Sequence, residues 1–162
     1  MIPVVVFSIL AIVLFLGAFI SKRRFGLLGL ALTAGATLST LWSYDAGLVV
    51  SGTGLIPEGV MTQAATQSLV VLLPAFLLLF HGYSYKNKLS RTIGALLFTI
   101  LALAFLVEPI GYALPLEGGG AQIYGMLKEY KDFIISVGVV LAVVDLFFTK
   151  PAHLIEKAAK KR

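Results

Sequence analysis

The sequence predicts an all-α protein: a polytopic membrane helix bundle with five transmembrane helices, its N-terminus outside and its C-terminus in the cytoplasm. Three observations predict this. First, 59% of the 162 residues are hydrophobic and only 13% are charged, where a soluble domain is about 45–50% apolar and about 25% charged. Second, the mean hydropathy is +0.97. Third, the charges gather in short patches that separate apolar runs. Each run approaches the roughly 20 residues with which a helix crosses a hydrocarbon core about 30 Å thick. A helix satisfies its own backbone there, whereas an open sheet leaves edges unpaired.

The runs cover residues 2–20, 25–42, 63–81, 92–107 and 133–149. Residues 1–149 are thus one transmembrane five-helix bundle, and residues 150–162 form a basic amphipathic cytoplasmic tail. The first run is read as a retained helix. Its leading "MIP" carries no positive side chain, the charge follows as "SKRR", and no small-residue cleavage pattern precedes that charge.

The second run, "FGLLGLALTAGATLSTLW", carries Gly26, Gly29, Thr33, Gly35 and Thr37, which widen into one small face. Small faces let helix backbones approach closely in lipid, so these are candidate helix-packing residues. The other reading is a polar lining for a pathway, although threonine hydroxyls also bond back to their own helix. Pro74 in the third run removes one helix bond and marks a kink. Before it, Gln63, Thr66 and Gln67 face either a water-filled mouth or the headgroup region. His81 closes the run as an interfacial hydrogen-bonding group.

Residues 43–60 are too long for a tight turn and partly apolar, and are expected to re-enter the membrane or rest on its surface. Glu108-Pro109 is expected to end the fourth span. Gly118, Gly119 and Gly120 then form a joint, and residues 121–132 a short amphipathic helix on the outer leaflet. In the fifth run "VVDLFFTK" places Asp145 among apolar residues. It lies in the last turns of a span, away from the midplane where a charge is most unfavourable. It is a candidate for a buried ion pair with Lys150, the "SKRR" loop or the "YKNK" loop, or else for a proton or ion site or an exposed interfacial carboxylate. In the tail, Lys157, Lys160, Lys161 and Arg162 are expected at the membrane surface, attracted to anionic lipid of the cytoplasmic leaflet.

Orientation follows from lysine and arginine. With five spans, Lys22, Arg23, Arg24, Lys86, Lys88, Arg91 and the tail share one side, which holds eleven of the thirteen basic residues. Only Lys128 and Lys131 fall opposite, and dropping any one span would split the basic patches. The net charge of +5 is therefore a topology signal. Nucleic acid is not an expected partner, because the basic residues are not interleaved with stacking aromatics on a polar surface. Cysteine is absent, which removes disulfides and thiolate metal sites. No phosphate loop, zinc-protease motif or nucleophile elbow occurs, so no enzyme, cofactor or metal is expected.

The segments "SKRRFGLLGLALTAG" and "KLSRTIGALLFTILAL" share a pattern in which a basic loop leads into a glycine-bearing helix. Arg24-x-Gly26 and Arg91-x-x-Gly94 are its nearest matches. Over about residues 1–113 this order of parts resembles the CvpA (colicin V production) family of small bacterial membrane proteins. The fourth span lacks that family's spaced glycines after Gly94, and a fifth span is added. The resemblance implies a role in envelope homeostasis or export without catalysis. The two hairpins also read as a same-orientation repeat. The function expected is thus a non-enzymatic, multi-pass inner-membrane protein, a scaffold or subunit in envelope maintenance or export. The alternative is a small oligomeric channel or transporter for an ion or small solute. The expected partners are the bilayer, anionic lipid, and a second copy or another membrane protein.

Overall fold

The computed structural model describes residues 2–52, 59–85, 87–113 and 119–148. Thr149, Lys150 and the tail with Lys157, Lys160, Lys161 and Arg162 lie outside the described residues, as do Lys86 and Gly118. Five α-helices follow in order: α1 (Ile2–Ser21), α2 (Phe25–Gly52), α3 (Val60–Phe80), α4 (Lys88–Ala113) and α5 (Gly119–Phe147). No strand is present among the described residues. Four helices, α1 to α4, are long and apolar enough to cross a membrane.

Three elements differ from expectation. Helix α2 runs on to Gly52, so residues 43–52 of the expected loop continue a helix, while its residues 53–58 lie outside the described residues. Pro109 lies inside α4 and does not end it. Helix α5 is continuous from Gly119, so residues 121–132 are its first half and not a separate surface helix. For α5 the cause is local: between Gly125 and Phe147 no proline and only Gly138 interrupts the run, and helix propagation adds one bond per residue fixed. Pro109 removes one N–H, which leaves the Phe105 carbonyl without its in-helix donor but blocks nothing further along. Pro74 does the same in α3, which continues through it as one helix.

Helix α4 is the centre of the bundle and packs against the other four; half of its span is buried, against 11% for α1. Helix α2 packs on α3, α4 and α5, while α1 rests mainly on α4 and, among the described residues, makes no close backbone approach to α2. The first expected hairpin is therefore not a packed pair, and the two halves are not structurally equivalent. The small residues of α2, which divide between two partners instead of forming the one face expected, explain why. Gly26 and Gly29 face α5, where added Cβ atoms would lie 2.5 Å from the Ala142 carbonyl oxygen and 2.9 Å from the Ala142 Cβ. Gly35 faces α3, where a Cβ would collide with the Val71 carbonyl oxygen. With these contacts taken, α1 is left to pack on the far side of α4.

Leu28 and Leu32 of α2, Ala75 of α3, Phe98 and Leu101 of α4 and Ala142 of α5 fill the interior of α2–α5 over successive turns, all essentially inaccessible. The exterior is an apolar belt that includes Ile9, Ile12, Leu69, Phe76, Val140 and Val144, as expected of a bundle whose outer solvent is lipid.

Candidate functional site

Polar side chains converge at the two ends of this interior. At the basic end, Arg24 occupies the position before α2, where a capping Ser, Thr, Asp or Asn would ordinarily sit. The first N–H groups of α2 are met from far along the chain instead. The Phe25 N–H donates to the Tyr85 hydroxyl at 3.1 Å, and the Gly26 N–H donates to Asp145 Oδ2 at 2.9 Å. A carboxylate at a helix N-terminus gains from the partial positive charge there. Arg24 reaches Asp145 at 4.0 Å and lies 5.4 Å from the centre of the Tyr85 ring. Asp145 thus joins α5 to the "SKRR" loop through Arg24 and to the "YKNK" loop through Tyr85. Burial pushes the Tyr85 phenol above its ordinary value, and the Asp145 carboxylate adds to this; the Phe25 N–H and Arg24 oppose it.

The two basic loops are themselves locked together. Arg23 and Ser84 form an antiparallel bridge, with the Arg24 N–H on the Tyr83 carbonyl at 3.1 Å and the Tyr85 N–H on the Lys22 carbonyl at 2.8 Å. The guanidinium of Arg23 donates to the carbonyls of Leu79 at 3.0 Å, Phe80 at 2.7 Å and Gly82. It thereby satisfies the orphan acceptors at the end of α3. Arg91 does the same for α1 through the Phe19 carbonyl, with its guanidinium 3.8 Å above the Phe19 ring. Gly82, at φ 119°, turns the chain out of α3 in a conformation that glycine adopts without strain.

At the opposite end lies a half-open cavity of about 430 Å³ between α2, α3, α4 and α5. Ser39, Thr40, Gln67, Glu108 and Lys131 line it. One turn deeper on the same helices, Ala36, Val71, Ala104, Phe105 and Ile135 line it with apolar surface. Below these, Leu32, Ala75 and Leu101 seal the interior. Lys131 donates to Glu108 and lies 3.8 Å from the exposed Asp132 carboxylate. Lys131 is fourteen residues from Asp145 on α5, about 21 Å of helix rise. The two polar ends are thus separated by most of a membrane thickness.

The expected site residues divide between these features. Gly26, Gly29 and Gly35 are contact points of α2. Thr33 bonds back to the Gly29 carbonyl at 3.0 Å and Thr37 to the Thr33 carbonyl at 2.9 Å, so their hydroxyls face their own helix. Pro74 lies one turn below Val70 and Val71, whose carbonyls face Gly35. Asp145 lies in the basic-end network. The pairing of Glu108 with Lys131 across the cavity is not among the sequence expectations, which place Glu108 at the end of the fourth span and Lys131 in a surface helix of the same outer segment. In comparisons with known proteins, no family model, curated protein or solved structure matches the chain.

Proposed function

We propose that this is a five-span inner-membrane protein with its N-terminus outside and its C-terminus in the cytoplasm. In this reading it serves as a non-enzymatic scaffold or subunit in envelope maintenance or export, of the CvpA type. The supporting observation is the filled interior: Leu28, Leu32 and Leu101 are buried through the middle of the bundle. Among the described residues this packing leaves no continuous polar route between the two ends, whereas a subunit that holds partners needs a rigid body and an apolar lateral surface. The locked basic loops supply rigidity on the side proposed as cytoplasmic.

Two experiments test this reading. The cysteine-free chain allows single-cysteine labelling in intact cells: Asp132→Cys should react with an impermeant maleimide from outside, and Lys88→Cys only after the membrane is opened. The reverse pattern, or both sites on one side, rejects the topology. Proteoliposomes of the purified protein should show no proton or ion flux above empty vesicles, while cross-linking in membranes should trap a defined partner or a second copy. A flux abolished by Asp145→Asn would reject the scaffold role.

The cavity supports the second reading, a small channel or transporter that works as an oligomer. Charged groups that face a cavity within a membrane bundle mark solute and ion pathways, and the completing half of such a pathway would come from a neighbouring copy.

A further inference from the structure

We infer that the cavity between α2, α3, α4 and α5 is a binding site for a small zwitterion with a short apolar substituent. Its lining has two layers. The outer layer carries one carboxylate, Glu108, and one ammonium, Lys131, with the Gln67 amide and the Ser39 and Thr40 hydroxyls beside them. The inner layer, one turn deeper, is apolar, and two of its members, Ala36 and Ala104, are small enough to leave room. The volume of about 430 Å³ falls in the roughly 300–1,000 Å³ range of small-molecule sites.

The charge arrangement selects the ligand class. Glu108 and Lys131 are paired with each other, with side-chain exposures of 50% and 20%, so a simple cation drawn to Glu108 would take the partner of the more buried Lys131 ammonium, and a simple anion drawn to Lys131 would face the Glu108 carboxylate. A zwitterion replaces the pair with two new pairs, its ammonium on Glu108 and its anionic group on Lys131. Asp132 also approaches Lys131, but its side chain is 86% exposed and lies outside the lining, where solvent screens it. The pyrrolidine of Pro109 is buried beside Glu108. The apolar layer then receives a hydrocarbon group of a few carbons.

Two sources share this chemistry: a free amino acid with an aliphatic side chain, and the headgroup of a zwitterionic phospholipid entering from the bilayer. The inference rests on the packing of α2–α5 alone. It is independent of the scaffold role and of the orientation, which the labelling experiment tests separately.

The test uses the full-length protein, purified in detergent without phospholipid and titrated calorimetrically with leucine, with short-chain phosphatidylethanolamine and with short-chain phosphatidylglycerol. In parallel, modification of Lys131 by an amine-reactive reagent is followed by mass spectrometry. Saturable binding of leucine, with protection of Lys131, assigns the site to a free solute. Saturable binding of the phosphatidylethanolamine alone assigns it to a headgroup. In either case Glu108→Gln should weaken binding at least tenfold. Ala36→Leu, which fills the apolar layer and leaves both charges in place, should do the same. Melting curves of both variants identify any that fails to fold, and the other then carries the test. The inference is overturned if neither zwitterion saturates, if the anionic phosphatidylglycerol binds as tightly as the zwitterions, or if a folded variant binds like the parent.

Discussion

Asp145 of α5 accepts the Gly26 N–H at 2.9 Å, a contact between residues 119 positions apart. One carboxylate therefore stands in for the missing local cap of α2 and ties the last helix to the second. Because its side chain is only 24% exposed, losing it leaves a helix N–H and a tyrosine hydroxyl to find new partners in restricted space. A hydrogen bond to a charged group contributes about 1.5–3 kcal/mol, while the long Arg24 pair adds little. Asp145→Ala should therefore destabilise the detergent-solubilised protein by about 2 kcal/mol, and Asp145→Asn, which keeps an acceptor oxygen, by less. Unfolding can be followed through the fluorescence of Trp42, the single tryptophan. An Asp145→Ala protein as stable as the parent would refute the anchoring role.

The same network predicts an alkaline transition. The folded state holds the Tyr85 phenol above its ordinary value of 10.0, chiefly through burial. A phenol whose folded value is raised contributes stability that is fully present below pH 10 and is lost as pH rises through the folded value, because the unfolded chain releases its proton first. The stability advantage of the parent over Tyr85→Phe should thus shrink above pH 10. Ultraviolet titration offers a second readout. Of the six tyrosines, a late-ionising component should be present in the parent and missing from Tyr85→Phe. Its persistence in the variant would assign the shift to another tyrosine.

How much of this was legible in the sequence depends on how local each signal is. The existence of the helices follows from the apolar runs, and the close approaches of α2 from the smallness of Gly26, Gly29 and Gly35; the sequence pattern groups these on one face, whereas Gly26 and Gly29 meet α5 and Gly35 meets α3. Helix ends were less legible. Pro109 reads as a terminator, yet one missing N–H is a local loss that the rest of α4 outweighs. The cavity was not legible because Glu108 and Lys131 lie 23 residues apart on helices whose register no local pattern specifies. The Asp145 contact did leave a trace: Arg24 precedes α2 where a capping residue belongs, so the orphan N–H groups had to be met from elsewhere.

Arg23 separates charge from geometry. Arg23→Lys retains the positive charge that sets topology but loses the planar fork that reaches the carbonyls of Leu79, Phe80 and Gly82. A lysine ammonium matches fewer of these acceptors. The variant should insert with unchanged orientation in the cysteine-labelling assay, yet be destabilised by about 1–2 kcal/mol. Hydrogen exchange should show faster opening of the last turn of α3. Unchanged exchange there would show that water caps those carbonyls equally well.

The glycines of α2 give a graded test of helix approach. At Gly35 an added Cβ would fall on the Val71 carbonyl oxygen, which belongs to the α3 backbone and cannot rotate away. At Gly26 it would lie 2.5 Å from the Ala142 carbonyl oxygen, again backbone. At Gly29 the nearest atom, 2.9 Å away, is the Ala142 side-chain carbon. At Gly52, on the same helix, nothing lies within 4 Å. Alanine has the better helix propensity by about 0.8–1 kcal/mol, so Gly52→Ala should be neutral or stabilising. Gly35→Ala and Gly26→Ala must separate α2 from α3 and from α5 respectively. Overpacking of this kind is worth about 1–3 kcal/mol, which exceeds the propensity gain and sets the sign as destabilising. Gly29→Ala should fall between. The order Gly35 and Gly26 worst, Gly29 intermediate and Gly52 harmless is read from melting temperatures of the four purified variants. A Gly35→Ala protein that melts no lower than Gly52→Ala would mean that α2 and α3 do not approach as closely as Gly35 and Val71 require.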